Sequence, residues 1–403
     1  MRVCFISSFY PPLVFGGAEI YVQRISERLV RQGIGVTVIT TGRDISLSPS
    51  VEMVNGVKVY RVHPLNIYPI YDTLSKPGIL KPFWYGIDLL NPHSYFVIRN
   101  ILEKEKPDIV HVHNFKGFSY AFRAAKSLGL PLVFTVHDYF LECPRETLFS
   151  GRDRICKAPS PGCRVYRGIQ GLLKDNIPDV VTAPSQFVID RLHHDGFFRR
   201  SRTMKLPLGI DPAAGESPDR ATDAIRLLFV GRLNASKGVG MLIRAFREME
   251  RGNGERPVRL DIVGDGPDRD ALRKAAEGCD GITVRGFVSE EDLRGYYRRA
   301  HLVIVPSLWY ETFGLVILES FRHGTPVVAS RIGGFPELVR DGEDGRLFEA
   351  GNAAELAGIL GSLTRDPEEM RRMGERAIRT AGEYGMDLHL ERLTTLYGEI
   401  LGH

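Results

Sequence analysis

The sequence predicts an α/β protein made of two doubly wound parallel sheets, and three observations carry that prediction. Short apolar runs with the look of strands covered on both faces recur along the chain, with helical stretches between several of them. The pattern stops over residues 206–224, within KLPLGIDPAAGESPDRATDA, a stretch rich in Pro, Gly, Ala and Asp without sustained periodicity, and restarts beyond it. The length of 403 residues also exceeds what one hydrophobic core usually supports. The expected division is a first domain over 1–205, a linker over 206–224 and a second domain over 225–385, with a C-terminal helix, 386–403, crossing back onto the first.

The chain opens with RVCFIS (2–7), read as a buried strand, and a loop from Phe9-Tyr10-Pro11-Pro12 to Gly16-Gly17. Ala18, Tyr21, Val22, Ile25 and Leu29 then recur at helical spacing until Gly33 ends the run. VTVITT (36–41), DIVHVH (108–113), PLVFTVHD (131–138) and VVTAPS (180–185) repeat the strand pattern. In the second half RLLFVG (226–231) precedes a helix carrying Leu242, Ile243 and Phe246, and RLDIVG (259–264), ITVRGF, HLVIVPS and TPVVAS follow. Near the C-terminus Leu393, Leu396, Tyr397 and Ile400 share one helical face, which has to dock on something.

Composition, with 43% hydrophobic and 25% charged residues, is that of a globular chain. No uncharged apolar run reaches the roughly 18 residues that span a bilayer, and the first residues lack a signal-peptide pattern, so a cytoplasmic location is expected. Five cysteines are an odd, sparse set that argues against a disulfide framework. Cys143, Cys156 and Cys163 have a spacing that suits a structural zinc, but Tyr166 stands where a fourth ligand would fall. Residues 1–205 hold 27 Lys and Arg against 17 Asp and Glu, a net +10, whereas 206–403 hold 26 against 32, a net −6. The basic half fits an anionic membrane face or a phosphorylated acceptor. Nucleic acid is not expected, because no recognisable module interleaves basic and aromatic residues. A merely soluble surface is the plain alternative.

The chemistry concentrates in SLWYETFGLVILESFRHGTPVVAS. An apolar strand turns there into an apolar helix, with Glu311 in the loop, Phe313-Gly314-Leu315 at the helix start and Glu319 about one and a half turns in. Free N–H groups and the helix dipole make that start an anion site, and the two carboxylates suit sugar and ribose hydroxyls. Glu319 lies among Val316, Ile317, Leu318 and Phe321, where a carboxylate needs donors. After the first strand of the second half, GRLNASKG places Arg232 and Lys237 around a short turn, and both cations can reach one diphosphate. It is not a phosphate-binding GxxxxGK[ST] loop, since Lys237 precedes Gly238. VGDGPD (263–268) fails to complete GxGxxG because Arg269 takes the third glycine's place, and Asp268-Arg269-Asp270 is read as a dipole-compensated first turn rather than a metal site. In the first half, Gly16 and Gly17 let backbone approach a phosphate and present N–H groups. His137 and Asp138 close a strand, where such sheets place ligand-contacting residues, while His111 and His113 are read as core or wall.

These strings together resemble the retaining nucleotide-sugar glycosyltransferases of glycosyltransferase family 4. The resemblance runs nearly end to end, through FYPPLVFGGAEIYVQRISERLVRQG, TVHD, PLGID, FVGRLNASKG, VGDGP, GFV, the ETFGLVILE block and GGFPELV, and is weak over 66–100 and 139–170. It implies the GT-B fold, two Rossmann-like domains facing across a cleft, with a nucleotide-diphosphate sugar as donor and a glycan or lipid-linked molecule as acceptor. It also implies that Glu319 binds ribose, Glu311 the donor sugar, and Arg232 and Lys237 the diphosphate. The amides of Phe313, Gly314 and Leu315 would meet phosphate and sugar, and the backbone of Phe287 and Val288 the base, with the Gly333-Gly334 loop nearby. Gly16 and Gly17 would close on the phosphate and His137 would stand beside the reacting sugar. No cofactor and no divalent metal are expected, in keeping with the lack of a convincing DxD at a strand end. Two other readings stay open: a sugar-nucleotide epimerase on the same scaffold, and a catalytically silent sugar-nucleotide-binding protein. Phe83, Trp84, Tyr85, Tyr95 and Phe96 are candidates for an acceptor groove, though such residues are more often core.

Overall fold

A computed structural model describes residues 1–73, 75–150, 154–212, 219–220, 223–250 and 256–402. The chain divides into two compact units: Met1–Thr147 with Ala158–Leu206 and Leu390–His403, and Leu148–Lys157 with Pro207–His389. The expected linker therefore splits, with Leu206 bonded through its N–H to the Ala183 carbonyl of the first unit (2.8 Å) and Pro207 onward belonging to the second. Residues 213–218 and 221–222 of that linker lie outside the described residues. Arg220 is fixed to the second unit, its guanidinium donating to the Ala300 carbonyl (3.0 Å) and to Thr325 Oγ1 (3.3 Å).

In the first unit the elements run β1 (Arg2–Ile6), α1 (Gly17–Arg31), β2 (Gly35–Thr41), β3 (Ser50–Val54), β4 (Val57–Val62), α2 (Lys81–Leu89), α3 (Pro92–Glu105), β5 (Ile109–Val112), α4 (Ala121–Ser127) and β6 (Leu132–Thr135). An antiparallel strand pair, β7 (Phe149–Ser150) with β8 (Arg154–Ile155), belongs to the segment grouped with the second unit, and the first unit resumes with α5 (Pro161–Lys174), β9 (Val180–Ala183), α6 (Gln186–His194) and β10 (Arg202–Lys205). The eight-stranded sheet has the order β10-β9-β6-β5-β1-β2-β4-β3. Every pairing is parallel except β3 with β4. The central strands β5, β6 and β9 are buried throughout because helices cover both faces. By contrast β3 is a largely exposed antiparallel edge, joined to β4 through Asn55 and Gly56, both at positive φ, as a tight hairpin turn requires.

The second unit continues with β11 (Ile225–Val230), α7 (Val239–Glu250), β12 (Val258–Val263), α8 (Arg269–Ala276), β13 (Ile282–Gly286), α9 (Glu290–Arg299), β14 (Leu302–Val305), α10 (Leu315–Arg322), β15 (Val327–Ser330), β16 (Gly345–Phe348), α11 (Ala353–Arg365) and α12 (Pro367–Gly382). Its six strands are all parallel, ordered β13-β12-β11-β14-β15-β16. This is the doubly wound order that reverses beside its first strand.

The last helix, α13 (Met386–Leu401), begins in the second unit and ends in the first. It buries Leu393, Leu396 and Tyr397, and Ile400 on the same face is half-buried. Tyr397 Oη lies 2.6 Å from His111 Nδ1, so the helix is held by a buried polar contact as well as by its apolar face. No helix among the described residues is long and apolar enough to cross a membrane.

Candidate functional site

Ligands of doubly wound sheets bind outside the carboxyl ends of the strands where the order reverses. In the second unit that point lies between β11 and β14, and the loops that follow them are 231–238 and 306–314. Two backbone features join these loops. The Leu308 N–H donates to the Ser236 carbonyl (2.8 Å), and Gly238, at φ +70°, sits so close that a Cβ there would lie 1.9 Å from the Pro306 carbonyl oxygen.

The joined loops bring together two residues singled out in the sequence. Lys237 Nζ donates to Glu311 Oε1 at 2.6 Å and lies 5.2 Å from the centre of the Trp309 ring. The buried hydroxyl of Ser307 donates to the same carboxylate oxygen, also at 2.6 Å. Both bonds go to Oε1, and no bond to the second oxygen is found among the described residues. The Glu311 carbonyl in turn accepts from the Gly334 N–H (2.8 Å), and a Cβ on Gly333 would come within 2.3 Å of that carbonyl oxygen. The Gly333-Gly334 loop thus packs directly beneath Glu311. Arg232, on the same loop as Lys237, is exposed and has no ion-pair partner among the described residues.

Helix α10 starts beside this pair. Gly314 is its N-cap, at φ +131°, and the N–H groups of Phe313, Gly314 and Leu315 find no protein acceptor among the described residues. Glu319, one turn further, is half-buried and accepts a 3.2 Å bond from the hydroxyl of Tyr297 on α9. Burial, reinforced by the Glu319 charge, holds the Tyr297 phenol well above its ordinary value, so it stays a donor. His323 stacks on Tyr297 with rings 9° from parallel. Burial, and then the charges of Arg322, Arg294 and Arg298, push its imidazole down to about 4. At the end of β13, Phe287 is 82% exposed and Val288 half-buried.

VGDGP owes its glycines to packing. The Leu233 N–H donates to the Asp265 carbonyl (2.9 Å) and the Leu233 carbonyl accepts from Asp268 (3.1 Å), so this loop braces the turn that carries Arg232. Asp270 and Asp265 flank Arg269 at 3.7 and 3.3 Å, an ion-paired first turn of α8.

In the first unit the order reverses between β1 and β5. The expectation of free N–H groups at both Gly16 and Gly17 needs correcting at Gly16. Its N–H donates to Glu19 Oε2 at 2.7 Å, half of a capping box, so free donors start at Gly17. His137 is half-buried, with Nε2 lying 3.0 Å from His113 Nδ1, and the Tyr21 ring of α1 is 5.4 Å away. His113 stacks on His111 at 4.1 Å, and His111 Nε2 lies 2.6 Å from Thr135 Oγ1. His111 and His113 are fully buried and form the column on which His137 rests. Asp138 accepts from Asn114 Nδ2 (2.7 Å) and the Phe140 N–H (2.8 Å), and serves as a loop brace. Burial, then the nearby Glu146 charge, push it up to about 7.

Sequence reasoning missed Ser307, Trp309 and Tyr297, which orient the charged groups, and the half-buried pair Lys116–Glu146 (2.6 Å) among the rings of Trp84, Tyr85 and Phe140. The signal for Ser307 was its place at a strand's end, whereas Lys116 and Glu146 are joined only by tertiary packing. Of the acceptor-groove aromatics, Trp84 is core, Tyr85 and Tyr95 are half-buried, and Phe83 and Phe96 are exposed. Cys143, Cys156 and Cys163 form no disulfide and no metal-ligating group among the described residues.

Two parallel-sheet α/β domains, each with its loops gathered at a switch point, are the GT-B class of glycosyltransferase fold. Residues 15–214 match Glycosyltransferase Family 4 and residues 224–366 match Glycosyl transferases group 1. The chain is 29% identical over 357 residues to an uncharacterized glycosyltransferase of Methanocaldococcus jannaschii, covering 84% of this chain and 83% of that one. It is 28% identical over 409 residues to the D-inositol 3-phosphate glycosyltransferase of Streptomyces scabiei, covering 95% and 86%. In structure it is similar to HepE of Anabaena, solved in complex with UDP-glucose, with a TM-score of 0.71 at 19% identity over 99% of this chain and 100% of that one. The chain belongs to the glycosyltransferases of family 4.

Proposed function

We propose that this glycosyltransferase moves a hexosyl unit from a UDP- or GDP-linked sugar to a glycan or lipid-linked acceptor, with retention of anomeric configuration and without a divalent metal, in surface polysaccharide or glycolipid assembly. The observation that carries the reading is the Lys237–Glu311–Ser307 constellation at the switch point, beside a helix start whose N–H groups lack acceptors among the described residues. Relatives of similar architecture that bind UDP-glucose favour a uridine donor.

In this reading Glu319, steadied by Tyr297, takes the ribose hydroxyls, and the exposed Phe287 with Val288 meets the base. Arg232 and Lys237 take the diphosphate. As the bond from anomeric carbon to β-phosphate oxygen breaks, negative charge grows on the leaving group. Lys237, Arg232 and the amides of α10 then interact more strongly with the transition state than with the ground state. Lys237 is held by Glu311 before a ligand arrives, so donor binding exchanges one anionic partner for another and frees Glu311 to meet sugar hydroxyls. On the first unit, His137 is assigned to hydrogen bonding with the transferred sugar. The protein is assigned to the cytoplasm, with its basic first unit meeting an anionic membrane face.

A thermal-shift panel of UDP-, GDP- and dTDP-sugars tests the proposal. A ligand at 100 times its Kd stabilises by about 2.7 kcal/mol. One nucleotide series should raise Tm well above the others, and the Lys237→Met protein should lose that rise. A flat response to the whole panel would overturn the reading.

A further inference from the structure

Helix α2 carries apolar side chains on its outer as well as its inner face. Its inward positions are taken by Leu89, by Trp84, whose Nε1 donates to the Tyr68 carbonyl (2.9 Å), and by buried Asp88, whose carboxylate accepts from Ser119 (3.0 Å). The outward stripe is apolar, with Ile79 77% exposed, Phe83 65% and Leu90 61%, and with Ile87 between them. The preceding loop extends this face. Asn66 Nδ2 bonds the Trp84 carbonyl (3.1 Å) and Asn91 Nδ2 the Leu65 carbonyl (2.7 Å), which fixes exposed Leu65 and Ile67 alongside the helix. Contiguous apolar surface of this kind marks an interaction site.

Charge decides what covers it. From Thr73 to Leu102 the sequence has one acidic residue, Asp88, and that one is buried. Lys76, Lys81 and Arg99 are cationic over the same span. Lys81 has no carboxylate partner among the described residues, Lys76 keeps only a long 4.0 Å contact to Asp72, and Arg99 pairs with Glu103 at 2.7 Å. The carboxylates at its margin, Asp72 and Glu103, face Lys76 and Arg99, which leaves Lys81 as the unpaired charge among the described residues. An apolar stripe with a cationic rim complements a surface that is oily within and anionic at its rim. We propose that α2, with the 65–67 loop, is the element by which the protein docks on an anionic lipid bilayer, Phe83 and Ile79 entering the acyl boundary and Lys76 and Lys81 meeting headgroup phosphates. The proposal rests on the membrane-facing reading above and gives it an address.

Co-sedimentation of the full chain with vesicles of phosphatidylcholine, alone or mixed with phosphatidylglycerol, tests it. Wild type should bind the mixed vesicles, and Phe83→Glu should weaken that binding by at least about tenfold. Lys81→Glu should weaken it less and make it more salt-sensitive. All three proteins should keep the same melting temperature, since these side chains are exposed. Binding by Phe83→Glu equal to wild type would overturn the assignment, as would absence of wild-type binding. So would a lipid-free dimer abolished by Phe83→Glu with no vesicle binding, which would make the face a contact between two copies. Vesicle binding needs neither donor nor acceptor, and nucleotide-induced thermal shift does not involve α2. Either reading can therefore fail without the other.

Discussion

The switch points of the two sheets are built from opposite materials. In the second unit, a partly exposed Lys237 meets the buried carboxylate of Glu311 as a salt bridge, braced by Ser307, with Arg232 open to solvent. In the first, three imidazoles stack into the core, and only His137, at the end of the column, is half-buried. Lys237, the partly exposed member, can exchange its partner for a ligand anion while Ser307 keeps its bond to the buried carboxylate. A buried polar column cannot be rearranged without leaving groups unsatisfied. The second site is therefore suited to exchanging partners with an anionic ligand, and the first to holding one group in a fixed orientation.

The largest expected effect breaks the exchangeable side. Lys237→Met and Glu311→Ala should each lower turnover at least about tenfold, and up to roughly a hundredfold for Lys237, with little change in melting temperature. Steady-state kinetics beside a melt reads both, and a collapsed melt would erase the contrast.

Next comes pH, to which the units respond in opposite directions. In the first unit, burial, together with the hydrogen bond to and charge of Asp195, pushes Glu142 up to about 9. The folded state then carries an extra proton between about pH 4.5 and 9, so this contribution is complete below that window and lost as pH rises through it. In the second unit, His323 lies at about 4, against 6.5 when unperturbed. Here the unfolded state carries the extra proton, and stability present above pH 6.5 is lost as pH falls toward 4. Urea titrations across pH should show Glu142→Gln flattening the alkaline limb and His323→Phe the acid limb, the former by more. Unchanged limbs would refute these placements.

Smaller effects sharpen the comparison. Tyr397→Phe removes the 2.6 Å contact to His111 and should cost about 1 kcal/mol of stability without altering nucleotide affinity. Tyr297→Phe should do the reverse, weakening nucleotide binding about threefold in calorimetry at nearly constant stability.

Sequence patterning revealed the sheets because parallel strands covered on both faces read as unbroken apolar runs, and β5, β6, β14 and β15 are buried from end to end. It ran most of them one to three residues past the strand's end, as in HLVIVPS, where β14 ends at Val305 and the loop to Glu311 begins, whereas VTVITT and TPVVAS stop with β2 and β15. The hairpin β3–β4 went unread although Asn55-Gly56 is a direct turn signal, because Val51 and Met53 face solvent and leave no buried alternation. In the site, Lys237 and Glu311 stood out as charges beside strand ends. Ser307 and Tyr297 did not, since a hydroxyl announces its role only through the partner that folding brings to it.

The first sheet's domain encloses Tyr397, Leu396 and Leu393, from a segment that follows the whole second domain in the chain. During synthesis its core stays open until residue 397 has emerged, and His111 lacks its phenol partner for that interval. The half translated first is thus the half completed last, and a nascent chain halted anywhere in α11 or α12 presents an unfinished hydrophobic seam to chaperones.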